Sequence, residues 1–110
     1  MNYKHYSPDA NVLIIKGSFD AYKKYIEYTA EEGDLALCFE EEVPDLNIRC
    51  ITYGRKDDPS SQAKNIFDAL RKVDEEKAKT VYARFPENEG IGLAVFNRLV
   101  RAAAFNIIEV

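Results

Sequence analysis

Tryptophan is absent from this chain of 110 residues, and histidine and methionine occur once each. The single histidine, His5, has no second histidine and no nearby cysteine nucleophile, so a metal site or catalytic triad would need partners from distant segments, and none can be named. Cysteine is scarce too. Cys38 and Cys50 each lie inside an apolar run, without the C-x-x-C or histidine-rich spacing of a zinc centre. Because bridges are rare in cytosolic proteins, both are expected to be reduced, buried and intracellular. Long hydrophobic runs are missing: the longest, "VLII" and "LALCF", fall far short of the roughly 20 residues a membrane helix needs. No basic-then-apolar signal segment opens the chain, so a cytoplasmic protein without membrane contact is expected. Positive charge is in deficit. Fifteen Lys plus Arg against nineteen Asp plus Glu give a formal charge of −4, which offers no global field for phosphate backbones. The chain alone is not expected to bind nucleic acid.

What is present is the composition of one ordinary globular domain, 46% hydrophobic and 31% charged. "NVLIIKG" is a β-branched run closed by Gly17, and "SFDAYKKYIEYTAEEG" follows with helical period. Phe19, Tyr22, Ile26 and Ala30 recur every three or four residues, Ser18 offers an N-cap oxygen, and Gly33 is expected at the C′ position. "DLALCF" reads as a strand, "EEEVPD" as a charged, proline-broken connection, and "NIRCITYG" as a further strand. Asp58 before Pro59 marks a second helix, since proline lacks an N–H that a first turn would leave unpaired anyway. That helix carries Ala63, Ile66, Phe67, Leu70 and Val73 on one stripe, "TVYARF" follows as a strand, and "FNIIEV" is a last short strand. The order βαββαβαβ predicts an α/β layer fold with a mostly parallel sheet of about five strands. Expected strands are 12–15, 35–39, 48–52, 81–84 and 107–109. Expected core residues are Leu13, Leu37, Ile51, Phe67, Leu70, Phe96 and Leu99.

Catalytic motifs are absent from the line. Gly90-Ile91-Gly92 opens a helix, but Val95 stands where a dinucleotide fingerprint wants Gly or Ala, and "PENE" separates it from the preceding strand. Neither GxxxxGK[ST] nor GxSxG occurs. Glu40, Glu41 and Glu42, with Asp45, are read as a solvated loop rather than a cation site, since consecutive side chains point in different directions. Tyr22, Tyr25 and Tyr28 read as core packing with wet hydroxyls. At about 100° per residue, Leu93, Phe96, Val100 and Ala103 are expected to face the core. Gly90, Ala94, Asn97 and Arg101 share the neighbouring face, with Arg98 further round. That face is either the wet side of a packing helix or a surface where small residues let another backbone or a flat ligand approach a guanidinium.

Two stretches in company point to a family. "YKHYSPDA", residues 3–10, resembles the linker motif K-Y-[KR]-H-Y-[AS]-P that joins the two domains of long-form L-threonylcarbamoyladenylate synthases. "GIGLAVFNRLVRAA" resembles the helix near the end of their C-terminal domain, and "IFDALRKVDEEKAKTVYARF" resembles that domain's L-R-x-x-D helix and following strand. The resemblance implies a three-layer, Rossmann-like α/β accessory domain at residues 11–110, preceded by an interdomain linker segment at 1–10. By match of motif, Lys4, His5, Tyr6 and Pro8 carry over as the linker that contacts the catalytic domain. Gly92, Asn97, Arg98 and Leu99 carry over as the helix motif, with Arg101 beside them as a possible interface residue.

In that family the N-terminal domain makes threonylcarbamoyl-AMP from threonine, bicarbonate and ATP, for modification of tRNA adenosines. The resemblance therefore implies that this chain is non-catalytic by itself, that its partner is the N-terminal catalytic domain, and that ATP and Mg belong to the full-length enzyme. An autonomous nucleotide or small-ligand binding domain is the alternative. Two departures stand out. Ala104 occupies a position where glycine commonly follows the paired alanines, and Met1 falls midway through the linker motif, as expected of a domain separated from a longer chain.

Overall fold

Five apolar runs become strands because β-branched and small side chains fit a sheet covered on both faces. The computed structural model describes residues 9–86 and 90–110. Strands β1 (Asn11–Lys16), β2 (Leu35–Cys38), β3 (Arg49–Thr52), β4 (Thr80–Arg84) and β5 (Ile107–Glu109) alternate with helices α1 (Phe19–Thr29), α2 (Pro59–Glu76) and α3 (Ile91–Ala102). A 3-10 helix, Glu40–Asp45, replaces a full helix between β2 and β3. The strand order is β3-β2-β4-β1-β5, and every pairing is parallel. Each α-helical connection therefore passes over one intervening strand, while β2 and β3 are direct neighbours.

The two-residue alternation of the strands sorts the core. Val12, Ile14, Leu35, Leu37, Val81 and Ala83 pack on one face against Ile66, Leu70 and Val73 of α2 and Val95 and Leu99 of α3. Ile15, Ala36, Cys38 and Tyr82 pack on the other against Tyr22 and Ile26 of α1. The molecule is thus α1, sheet, then the α2–α3 pair, the three-layer α/β arrangement the sequence predicts. Leu37, Ile51, Leu70 and Leu99 are buried as expected, whereas Leu13, Phe67 and Phe96 are only half-buried.

Helix ends follow local chemistry. The Ser18 hydroxyl accepts a hydrogen bond from Ala21 N, and the Asp58 carboxylate accepts one from Ser61 N, with Pro59 in the first turn. Gly33 is not the C′ residue of α1. The helix stops at Thr29 with Ala30 as an extended cap, and Gly33 instead uses its positive φ of 94° in the turn before β2.

The phase of α3 meets expectation only in part. Val100 and Ala103 are buried and Phe96 is half-buried against the core, as expected, but Leu93 is 45% exposed; Gly92, Val95, Leu99 and Ala102 complete the inward face. Apolar residues cover so much of this helix that two arcs compete, and docking against α2 selects the one that sets Val95 and Leu99 over the sheet.

Candidate functional site

The family-motif helix divides in two. Gly92 and Leu99 are buried and serve packing, while Gly90, Ala94, Asn97 and Arg101 are all exposed along one face. Arg98 is held differently: its guanidinium lies 3.8 Å from the ring centroid of Phe67, a cation–π contact that ties α3 to α2. Asn97 and Arg101 stand one helical turn apart, and their side chains make no hydrogen bond or ion pair to another described residue. Lys4, His5, Tyr6 and Pro8 lie outside the described residues.

A buried polar centre, unforeseen from the sequence, sits where β4 ends. Arg84 Nε donates to Glu42 Oε2 at 2.9 Å, and Arg84 Nη1 donates to the Gly17 carbonyl at 3.2 Å. The other Glu42 oxygen accepts from Phe39 N at 3.1 Å. Both side chains are under a tenth exposed. The guanidinium also lies 5.2 Å from the Tyr22 ring centroid and 5.7 Å from those of Phe19 and Phe39. Together these contacts fasten the ends of β1, β2 and β4 to one another.

This arrangement corrects the reading of the three glutamates as a solvated loop. The 3-10 helix turns Glu42 inward, while the Glu41 carboxylate accepts from Lys56 N at 2.8 Å, so the side chains diverge as expected but one of them is core. Among the described residues no group of three or more potential ligands gathers around a point. A sequence signal was available: an arginine closing the apolar run "TVYARF" between aromatics needs a carboxylate partner if it is buried.

The tyrosine hydroxyls are likewise drier than expected. Tyr22 donates to the Tyr82 carbonyl and Tyr53 donates to the Arg84 carbonyl, each at 2.7 Å. Burial pushes both phenols well above the ordinary tyrosine range. Tyr28, by contrast, is almost fully exposed. The thiols of Cys38 and Cys50 are free, Cys38 buried and Cys50 half-buried. A hydrogen bond with Cys50, then burial, pushes the Cys38 thiol up, which keeps it protonated and unreactive.

Among the cavities of the described residues, two lie at opposite ends of the strands. The larger, about 600 Å³, lies beside the N-terminal ends of β2 and β3, with Ile26, Ala30 and Leu46 below a rim that includes Glu27, Glu31 and Glu32. The smaller, about 250 Å³, lies at the C-terminal edge beside Arg84 and the start of α2. Among the described residues no helix is long and apolar enough to cross a membrane.

The family profile described as threonylcarbamoyl-AMP synthase, C-terminal domain, matches residues 1–104. The threonylcarbamoyl-AMP synthase of Pyrococcus abyssi is 32% identical over 117 residues, covering 100% of this chain and 33% of that protein. That of Bacillus subtilis is 32% identical over 112 residues, covering 99% of this chain and 32% of that protein. Among solved structures, Pyrococcus abyssi Sua5 complexed with L-threonine superposes with a TM-score of 0.78 at 29% identity, over 100% of this chain and 33% of that one. The C-terminal Sua5 domain from Pyrococcus horikoshii superposes at 0.65 and 27% identity, over 94% of this chain and 100% of that one. This chain spans about a third of the length of the curated relatives it matches.

Proposed function

The chain belongs to the family of threonylcarbamoyl-AMP synthase C-terminal domains, and from that premise we propose that it is the accessory, non-catalytic domain of such a synthase. It acts on an N-terminal catalytic domain through the linker residues Lys4, His5, Tyr6 and Pro8, with the Asn97 and Arg101 face of α3 as a second contact. The carrying observation is that nearly the whole chain aligns with one third of the curated relatives from Pyrococcus abyssi and Bacillus subtilis, and that 94% of it aligns with the complete isolated C-terminal domain from Pyrococcus horikoshii. The chemistry of the buried centre agrees. The buried centre at Arg84 and Glu42 has its carboxylate oxygens already engaged, leaving no base or nucleophile there.

On this reading ATP and magnesium are held by the catalytic domain and not by this one, and the product serves tRNA modification in the cytoplasm without direct RNA contact here. The test is pyrophosphate release from ATP in the presence of threonine and bicarbonate. With the chain alone we expect no turnover above a protein-free blank. Turnover above it, abolished by Arg98→Ala or Arg101→Ala, would overturn the accessory role.

A further inference from the structure

A groove runs where the fold omits a helix. Because a 3-10 helix joins β2 to β3, α1 alone among the described α-helices packs on the Tyr82 face of the sheet. The larger cavity opens beside it, and its volume of about 600 Å³ falls within the roughly 300–1,000 Å³ of small-molecule sites. Ile26, Ala30 and Leu46 give it an apolar wall. Asp34 lines it too, and is only 7% exposed. That carboxylate is half used. Its Oδ2 accepts from Glu31 N at 2.9 Å and from the Tyr82 hydroxyl at 3.1 Å. Its Oδ1 has no hydrogen bond, and the group no ion pair, with any described residue. Nor is Oδ1 sealed off: among the described residues, the unpartnered side-chain polar atom that solvent cannot reach belongs to Gln62. A nearly buried carboxylate with an open oxygen and no cation beside it calls for a positively charged donor from outside.

Charge and shape narrow that donor. Arg49 is engaged by Glu76 at 2.7 Å, which leaves Lys23 alone in the lining against Glu27, Glu31, Glu32 and Asp34. The surplus of carboxylates suits a ligand with two positive charges. A single open oxygen fits the compact ammonium better than the guanidinium fork, which engages two. No aromatic ring of the described residues lines the cavity, so it offers no cage for a quaternary ammonium. The apolar wall between Asp34 and the rim suits methylene groups. We propose that this cavity binds an aliphatic diamine or longer polyamine. One ammonium donates to Asp34 Oδ1, the methylene chain lies on Ile26, Ala30 and Leu46, and the second ammonium reaches the rim carboxylates. The site does not rest on the accessory role.

The experiment is an NMR titration of the isotope-labelled chain with pentamethylenediamine. Each comparison probe lacks one feature: pentylamine the second charge, pentanediol both charges, and magnesium ion the methylene body. The diamine should move the backbone amides of Glu31, Asp34 and Ile48 saturably. Pentylamine should bind more weakly, and pentanediol at least about tenfold more weakly, as expected for loss of a charge-assisted hydrogen bond. Asp34→Asn, which keeps an acceptor for Glu31 N and Tyr82 and removes the charge, should weaken the diamine by about the same factor. Should that variant not fold, the wild-type comparison with pentanediol and magnesium decides. Absence of saturable shifts with the diamine would overturn the proposal, as would equal affinity for pentylamine or pentanediol. Undiminished binding by Asp34→Asn would overturn it too, and magnesium moving the same amides as tightly would reduce the site to a bare acidic patch.

Discussion

Ala104 shows how much one side chain can cost in the wrong conformation. At the end of α3, Phe105 N donates to the Val100 carbonyl and Ala104 N to the Arg101 carbonyl, the paired bonds of a Schellman cap. Ala104 is its C′ residue, at φ 51°, the conformation that favours glycine. The departure from the family's usual glycine noted in the sequence therefore coincides with a strained position. We expect Ala104→Gly to stabilise the chain by about 0.5–1 kcal/mol, the left-handed penalty less the added chain entropy, read from the urea midpoint. Glu42 is the opposite case. Removing it strands the buried Arg84 cation, so Glu42→Ala should cost about 3–5 kcal/mol in the same measurement. Neither effect was readable from neighbours along the chain: the Glu42 partner is 42 positions away, and a positive φ at alanine leaves no mark in an apolar pattern.

At the level of elements, what was legible was what local chemistry decides. Ser18 and the Asp58–Pro59 pair marked the starts of α1 and α2 because a cap is a bond between near neighbours. The phase of α3 was legible only in part: Val100 and Ala103 turn inward as expected, but Ile91, Leu93, Val95, Phe96, Leu99 and Val100 cover most of its circumference, and packing against α2 leaves Leu93 outside. The α2 cap also has a pH signature. A hydrogen bond from Arg55, then one from Ser61 N, holds the Asp58 carboxyl below its ordinary value. A carboxyl depressed in the folded state contributes stability that is complete above the unfolded value, about pH 4, and is lost as pH falls through the folded one. The stability gap between wild type and Asp58→Ala should therefore be constant near neutrality and shrink in acid, and a gap independent of pH would contradict this role for the cap.

For the whole molecule, alternating strands and helices were enough to predict a parallel α/β sheet, but not the order β3-β2-β4-β1-β5. Hydrophobic runs state that a strand is covered on both faces and are silent on its neighbours. The larger claim, that this domain serves a catalytic partner through residues 3–8, rests on family membership and on the third of its relatives that it spans. Its most direct test joins this chain, linker included, to the remaining two-thirds of the Pyrococcus abyssi relative, taken as the catalytic part, in place of that protein's own matching third. Threonylcarbamoyl-AMP formation is then compared among the catalytic part alone, the joined protein, and the joined protein carrying His5→Ala and Tyr6→Ala. The account predicts that joining raises turnover or substrate affinity and that the double substitution removes the gain; rates and affinities unchanged across all three would contradict it.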